Sequence, residues 1–290
     1  MKKIIFTSLF VAIFSCKDKN SEADAYGNFE ATEITVSAEA NGKIEFLEVE
    51  EGNKIAKNQI VGVIDTTQLH LNKLQLLASI ETINSKSTNV LSQRKVLGEQ
   101  LKTAKMEQNR ILSMYKESAS TKRQVDEIDG KVSVIQEQMK SVETQNAPIV
   151  NEVKSLEVQI KKIDDQIKKS KIENPVGGTV LTKFSEPNEI TSYGKPLYKI
   201  ADLSEMTLRV YFSETQLPSI KVGQEVTVSI DENKGMKTYK GKISWISSSA
   251  EFTPKIIQTK EERVNLVYAV KVLVKNDGAL KIGMPAEVKL

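Results

Sequence analysis

The sequence predicts a mainly β protein with a long α-helical hairpin, in which a small split β-domain is interrupted by an antiparallel coiled coil and followed by a small β-barrel. Three observations predict this fold class. Two short β-type segments with matching patterns begin near Gly42 and Gly178. A heptad pattern fills the stretch between them, and alternating apolar and polar residues dominate the chain after residue 202. The expected architecture is a small β-domain from which a long hairpin projects.

The heptad pattern predicts the two arms of the hairpin, residues 67–172. In the second arm, apolar residues recur at alternating steps of three and four from residue 125 to residue 167, and only Asn146 interrupts them. The first arm follows the same steps from residue 76 to residue 115. Sustained seven-residue spacing predicts a left-handed supercoil, and the segment 116–120 leaves only a tight turn between antiparallel arms. The polar interruptions of the first arm are Ser87, Arg94 and Gln108.

Residues with capping-box spacing mark the start of each arm. Asp65 is followed three residues later by Gln68, and Thr121 is followed in the same way by Gln124. Each arm therefore has a chemically marked first turn.

Prolines limit the second arm. It must end by Asn174, because the residue before a proline is disfavoured in helical conformation. Pro148 lies inside the arm, but the heptad register continues past it, which predicts a kink and not an end. Each arm then has nearly fifty residues, or about 70 Å at 1.5 Å per residue.

The two flanking segments, residues 37–66 and 173–202, share one pattern: glycine, apolar strand, polar turn, apolar residue, glycine, apolar strand, aspartate. Each half alone would leave unpaired strand edges, so the two halves are expected to close on one shared core. One predicted turn contains Asn188, and asparagine tolerates positive φ best after glycine, so this turn should form at a small cost. The predicted turn residues are Gly42, Gly52, Gly62, Gly178, Asn188 and Gly194.

Residues 203–290 predict a small antiparallel β-barrel, because alternating runs are bounded by Gly, Asp and Asn. Ser213 and Gln216 have capping-box spacing for a short helix that reaches Pro218. Between two of the strands, residues 251–263 form a connection too long for a tight hairpin turn. Long loops in compact domains are usually functional or disordered.

The N-terminus predicts export. Lys2 and Lys3 precede an apolar run, residues 4–14, that is too short to cross a bilayer and has the pattern of a signal peptide, residues 1–15. The residues before Cys16 are similar to a lipobox, so the thiol is expected to be acylated. Residues 16–36 would then form a lipid-anchored tether and the strand that leads into the split β-domain. The alternatives are an ordinary signal peptide followed by a stray cysteine, or an uncleaved anchor.

Composition argues against nucleic-acid binding and against catalysis. The 41 Lys and Arg residues nearly balance the 38 Asp and Glu residues, which gives a net charge of +3. One histidine, His70, and one cysteine provide no cluster with metal-ligand spacing. We therefore expect no enzymatic activity, cofactor or metal, and the mixed charges of the arms are those of a solvated coiled coil.

The half-motifs resemble those of lipoyl- or biotinyl-type barrel-sandwich domains, and the hairpin between them resembles that of the HlyD-type periplasmic adaptor (membrane fusion) proteins. The resemblance covers nearly the whole chain and includes the order of the segments. One departure is Asn188, where such adaptors usually have glycine. The resemblance implies a periplasmic adaptor subunit of a tripartite efflux or secretion system, anchored to the inner membrane. Such a subunit assembles as a hexameric ring and links an inner-membrane transporter to a TolC-like outer-membrane channel.

The resemblance also implies two contact sites. Adaptors that dock onto TolC-like channels have an arginine, a leucine four residues later and a serine seven residues after that, and this spacing gives Arg110, Met114 and Thr121. The structural alternative is that Thr121 only caps a helix and Met114 only packs beside the seam. The loop after residue 250 resembles that of adaptors paired with ABC-type exporters, and a solvated loop without a partner is its alternative. The candidate transporter-facing residues are Phe252, Pro254, Lys255, Gln258, Glu262 and Arg263.

An ABC-type exporter is the expected inner-membrane partner. The length of the arms favours it, and so does a chain that ends at Leu290 with little left for the membrane-proximal domain of resistance-nodulation-division pump adaptors. Two other protein classes remain open. A structural coiled-coil envelope lipoprotein would space or tether envelope layers without transport. An acyl or biotin carrier would need a modifiable lysine in a tight turn, where this chain has Asp65 leading into the hairpin.

Overall fold

The computed structural model describes residues 23–233, 235–252 and 266–290. The chain divides into two compact units, one formed by Met1–Glu33 with Ala201–Leu290 and the other by Ile34–Ile200. The predicted signal peptide, Cys16 and the loop residues from 254 to 263 lie outside the described residues. We call the first unit the barrel unit and the second the hairpin unit.

The hairpin unit is one continuous stretch of chain that interrupts the barrel unit. The strands are β1 (Ala25–Glu30), β2 (Glu33–Ser37), β3 (Gly42–Leu47), β4 (Lys54–Ile55), β5 (Ile60–Ile64), β6 (Lys171–Glu173), β7 (Gly178–Lys183), β8 (Ile190–Thr191), β9 (Pro196–Ala201), β10 (Glu205–Ser213), β11 (Glu225–Glu232), β12 (Gly235–Ile246), β13 (Glu251–Phe252), β14 (Leu266–Lys275) and β15 (Pro285–Lys289). The helices are α1 (Thr67–Lys116), α2 (Lys122–Thr144) and α3 (Asn146–Lys169), and Glu214–Ser219 forms a 3₁₀ turn.

The β part of the hairpin unit consists of two four-stranded sheets, in the orders β2-β9-β7-β4 and β6-β5-β3-β8. Each sheet takes strands from before and from after the hairpin, so neither half can fold alone. The apolar side chains of both halves form one core, which confirms the prediction of a shared core. Its fully buried members are Ile44, Val49, Val61, Ile64, Leu197, Tyr198 and Ile200.

The two halves repeat each other's turn geometry. The amide of Gly52 donates to the carbonyl of Val180 at 2.9 Å, and the amide of Asn188 donates to the carbonyl of Ile44 at 2.8 Å. The counterparts are equally far apart in the sequence: Asn188 follows Gly52 by the same number of residues as Val180 follows Ile44. Asn188 has a φ of 71° and Gly52 a φ of 86°, so the asparagine turn forms as the sequence predicts.

Two of the predicted turn residues, Gly62 and Gly178, do not lie in turns. Gly194 has a φ of 83°, and its counterpart in the first half is Asn58 with a φ of 62°, not Gly62. Gly62 lies within β5, where a Cβ atom would stand 2.7 Å from the carbonyl oxygen of Phe46. It is therefore required for close strand approach and not for a turn. Gly178 likewise begins β7 instead of forming a turn.

The hairpin is antiparallel, as predicted. Its seam is formed by the heptad residues, and the buried residues Ala104, Val132 and Ile135 form a small core cluster toward the tip. Polar residues, among them the interruptions of the heptad pattern, are hydrogen-bonded to the opposite arm. The pairs run in opposite chain directions from base to tip: Lys73 with Asp164 at 2.7 Å, Ser87 with Asn146 at 2.8 Å, Arg94 with Glu143 at 2.6 Å, and Gln108 with Asp129 at 2.8 Å.

The predicted capping box at Asp65 is wrong. Helix α1 begins at Thr67 with Thr66 as its N-cap, which has no side-chain capping bond. Asp65 instead accepts a hydrogen bond from the amide of Thr67 at 2.8 Å, and the side chain of Gln68 donates to Asn72. A short aspartate loop therefore turns β5 into the helix, because an Asp side chain reaches a backbone amide two residues on more readily than three.

The second arm is interrupted at Gln145, between α2 and α3. Pro148 has no amide hydrogen, so the carbonyl of Thr144 has no i→i+4 donor, and the proline ring crowds that carbonyl. Gln145 keeps a helical conformation with a φ of −70°, so the arm is interrupted here but does not end, and the kink itself stays a prediction. The arm ends at Lys169, before the predicted limits at residues 172 and 174, since β6 begins at Lys171.

The barrel unit has the strand order β10-β1-β15-β11-β12-β14, and pairing of β10 with β14 closes it. Inward-facing residues such as Phe29, Leu208, Phe212 and Val272 form its core. The predicted tether 16–36 thus contains β1, a strand of this barrel, as well as β2 of the sandwich. The capping box of the short helix after Ser213 is present.

Candidate functional site

The candidate site is the tip of the hairpin, where the chain passes from α1 to α2. The amide of Ala119 donates to the carbonyl of Met114 at 2.8 Å, and the amide of Ser118 donates to the carbonyl of Tyr115 at 3.0 Å. Two nested bonds of this kind form a Schellman motif, which requires left-handed backbone at its C′ residue. That residue is Ser118, with a φ of 65°.

Replacing Ser118 with glycine is expected to stabilise the tip by about 1 kcal/mol, since a residue with a Cβ atom costs about 1–2 kcal/mol in left-handed conformation. Amide hydrogen exchange of the residues around the turn measures this directly. Ser113→Gly, inside exposed helix, is the matched control and should destabilise by about 0.5 kcal/mol. Faster exchange at the turn in Ser118→Gly would contradict the strain argument.

The second arm begins with a complete capping box. Thr121 donates its amide to the side chain of Gln124 at 2.8 Å, and its hydroxyl oxygen accepts from the amide of Gln124 at 3.4 Å. The hydroxyl of Ser120 donates to the carbonyl of Ile111 at 3.3 Å, which joins the turn to the first arm. The turn is therefore held from both helices, and Thr121 performs the structural role that its sequence position predicts.

Arg110 and Met114 lie one helical turn apart on the same side of α1. The Arg110 side chain is 74% exposed, and its only described partner is Glu107, at 3.4 Å. Met114 is 40% exposed although it is one residue from the seam. The structure therefore places a cation and a flexible apolar side chain together in solvent near the tip, while Thr121 opens the opposite arm.

Sequence reasoning did not identify the exposed side chain of Tyr115 or the two basic residues Lys122 and Arg123 at the tip. Tyr115, placed in the seam by the heptad pattern, is 43% exposed, because the seam ends one turn below the loop. Lys122 pairs with Asp126 at 3.0 Å, and this hydrogen bond raises the pKa of the lysine. The next residue, Arg123, pairs with Glu127 at 3.7 Å. Exposed apolar and basic side chains at a helix–helix turn would have indicated these residues.

Only the first residue of the second candidate site lies within the described chain. Phe252 belongs to β13, where it pairs with Leu266 of β14. The preceding residue, Glu251, receives two hydrogen bonds from the guanidinium of Arg209, at 2.9 and 3.0 Å. Both bonds come from the Nη2 atom of Arg209, and they hold the strand from which the predicted transporter-facing loop departs.

The described residues contain no group of three or more His, Cys, Asp or Glu side chains that could hold a metal ion. His70 is exposed on the first turn of α1. None of the described helices combines the length and the apolar composition needed to cross a bilayer.

Comparison with known proteins identifies relatives over most of the chain. No family model matches the sequence. A UPF0194 membrane protein of Enterobacter sp. (strain 638) is 27% identical over 293 residues, which cover 91% of this chain and 87% of the relative. The UPF0194 membrane protein YbhG of Salmonella gallinarum is 28% identical over the same shares of the two chains.

Two solved structures have a similar fold. The crystal structure of MacA from Actinobacillus actinomycetemcomitans matches with a TM-score of 0.52 and 21% identity, and covers 91% of this chain and 76% of that one. The membrane fusion protein Spr0693 from Streptococcus pneumoniae R6 matches with a TM-score of 0.54 and 18% identity, and covers 91% and 97%. The resemblance found in the sequence is thereby confirmed: the chain is similar along most of its length to UPF0194 membrane proteins, and it shares the fold of MacA and of the membrane fusion protein Spr0693.

Proposed function

We propose that this protein is the periplasmic adaptor of a tripartite efflux or secretion system and joins an inner-membrane transporter to a TolC-like outer-membrane channel through its hairpin tip. The observation that carries the proposal is the construction of the tip. A Schellman motif and a capping box fix the turn, and Arg110 and Met114 remain exposed beside it. Helix α1 has 50 residues, which corresponds to about 75 Å of reach.

The chemistry of the tip suits a contact with helix ends. An arginine guanidinium presents several donors in a rigid plane, and the last carbonyls of a helix are acceptors without intrahelical partners. Met114 can adapt its side chain to an apolar groove between two helices of the partner. We therefore assign Arg110 the polar contact and Met114 the apolar contact, with Thr121 holding the turn that aims both of them.

The remaining parts of the system follow from the resemblance. Acylation at Cys16 would anchor the protein to the inner membrane, and a bound transporter would supply the second attachment that stable anchoring needs. An ABC-type exporter is the proposed transporter, contacted by the loop from Phe252 to Arg263. A ring of six copies would enclose a conduit that one hairpin cannot line. The transported compound passes without a chemical change by this protein.

Crosslinking in cells tests the proposal. A photoreactive residue at Met114 is expected to capture an outer-membrane channel, and one at Ile256 is expected to capture an ABC permease. Leu74, 61% exposed near the base of the hairpin, is the matched control position and should not capture the channel. Capture at Met114 of neighbouring copies or peptidoglycan-associated proteins alone would contradict the adaptor function and favour a spacer lipoprotein. Capture of a resistance-nodulation-division pump at Ile256 would contradict the ABC-type assignment.

A further inference from the structure

The middle of the hairpin differs from the part nearer the tip. We define the mid-hairpin joint as residues 79–94 of α1 together with residues 141–149 of the second arm. The second arm is interrupted here at Gln145, whose amide donates to the carbonyl of Val142 at 3.2 Å, a tighter i→i−3 bond. Pro148 supplies no donor to the carbonyl of Thr144. One arm therefore lacks continuous helical hydrogen bonding at this level.

The opposite arm is weakened at the same level by hydroxyl side chains. In α1, successive Ser and Thr side chains donate back to the carbonyl four residues earlier, at 2.9–3.0 Å. Such bonds compete with the amide donors of the helix and often bend it. The residues involved are Ser79, Thr82, Ser85, Thr88 and Ser92.

The seam between the arms is also polar here. Ser87 donates to Asn146 at 2.8 Å across the seam, and Arg94 contacts Glu143 at 2.6 Å. Toward the tip, by contrast, the seam contains the cluster of Ala104, Val132 and Ile135. Between Ile83 and Ala104 no residue of α1 is buried, and α3 contains no buried residue. Apart from Ile83, the joint therefore has none of the buried apolar packing that resists bending toward the tip, and the base of the hairpin has no more of it than the joint.

From these three observations we propose that the mid-hairpin joint is a built-in hinge, at which the distal half of the hairpin bends relative to the proximal half. The polar pairs keep the register while the joint bends, because Asn146 and Ser87 can bond only when they face each other. A one-residue slip would separate Ser87 from Asn146 and Arg94 from Glu143. The hinge is a property of the chain itself, and its use in aiming the tip at a channel rests on the proposed function.

Hydrogen exchange of the purified full-length protein tests the hinge. Amides of residues 83–94 and 141–151 are expected to exchange at least about tenfold faster than amides of residues 101–108 and 125–135. Combining Ser87→Leu, Asn146→Leu and Pro148→Ala fills the seam and restores the missing donor, and should slow exchange in the joint at least about tenfold. The matched control, Gln108→Leu with Asp129→Leu, changes a polar pair in uninterrupted helix and should leave exchange in the joint unchanged.

Spin labels give an independent readout. Labels at Leu77 and Val96 span the joint, and labels at Val96 and Tyr115 span an equal length of α1 beyond it; all three positions are exposed. A wider distance distribution for the first pair supports the hinge. Equal widths together with uniform exchange along the arms would overturn it. Neither measurement needs a channel, so the hinge is tested independently of the proposed function. A hinge without channel capture would support only the hinge, and channel capture without a hinge would support only the adaptor function.

Discussion

An Arg110→Glu variant is expected to lose capture of the outer-membrane channel at the tip by at least about tenfold while the protein stays folded. A hydrogen bond from a charged donor contributes about 1.5–3 kcal/mol, and each 1.4 kcal/mol corresponds to a factor of ten in affinity. The substituted carboxylate would also repel the carbonyl oxygens that the guanidinium is proposed to contact. Folding should be unaffected, because the Arg110 side chain is 74% exposed and its partner Glu107 lies on the surface.

The chain offers a matched control for this variant. Lys102 stands three residues after Glu99, as Arg110 stands three residues after Glu107, and its side chain is 69% exposed. Lys102→Glu therefore makes the same charge change, with the same local repulsion, two helical turns from the site. It should keep full capture and export. Arg110→Lys tests whether the contact needs only a positive charge or also the planar donors of the guanidinium, since lysine keeps the charge and lacks those donors.

Two outcomes would contradict the assignment of Arg110. One is normal export by a well-expressed Arg110→Glu variant. The other is an equal loss of capture in Lys102→Glu, which would indicate a general effect of charge on the hairpin. Thermal unfolding of both variants, followed by helical circular dichroism, shows whether each remains folded.

The hairpin was the part of the fold most accessible to sequence reasoning. A heptad stripe is a local pattern, and a shift of register would expose every apolar residue on it. Even its polar interruptions carry information, since Ser87 and Asn146, each an interruption in its own arm, bond to each other. The exposure of Arg110 and the capping role of Thr121 follow from the same register and from the spacing to Gln124.

The parts that sequence reasoning missed depend on contacts distant in the chain. Sequence reasoning predicted a tether and one entry strand in residues 16–36 but did not place β1 in the barrel, because its pairing partners β10 and β15 lie at the other end of the chain. Asn58 was missed because a glycine nearby, Gly62, fitted the repeated pattern better. Ser118 was missed because serine rarely adopts left-handed backbone, so only the Schellman bonds reveal its conformation.

An Asn174→Ala variant is expected to destabilise the hairpin unit by about 2–4 kcal/mol. Asn174 is fully buried, and its amide group donates to the carbonyls of Ala56 at 2.9 Å and Val176 at 2.6 Å. Its side-chain oxygen accepts from the buried hydroxyl of Tyr198 at 3.0 Å. Removing the side chain leaves the Tyr198 hydroxyl and the Val176 carbonyl without these partners, each at a cost of about 1–3 kcal/mol if water does not replace the bond. The carbonyl of Ala56 keeps only the longer bond from the amide of Gln59, at 3.4 Å.

The matched control is Asn41→Ala, which removes one exposed hydrogen bond, to the amide of Tyr193, and should cost less than about 1 kcal/mol. Helical circular dichroism follows the hairpin unit during denaturation, and fluorescence of the single tryptophan, Trp245, follows the barrel unit. Asn174→Ala should lower the first transition far more than the second. Equal shifts for Asn174→Ala and Asn41→Ala would show that the buried network contributes little.

The same network gives the hairpin unit a defined sensitivity to alkali. Burial raises the pKa of Tyr198 to about 12, from an ordinary value near 10. Because the folded pKa is the higher one, the fold favours the protonated phenol. Its contribution to stability is complete below about pH 10 and is lost as the pH rises toward 12. Tyr198→Phe should therefore be less stable than the natural protein at neutral pH, since Asn174 loses a donor, yet lose less stability between pH 10 and 12. An unchanged alkaline loss in Tyr198→Phe would assign that loss to other groups, because the phenylalanine has no proton to release.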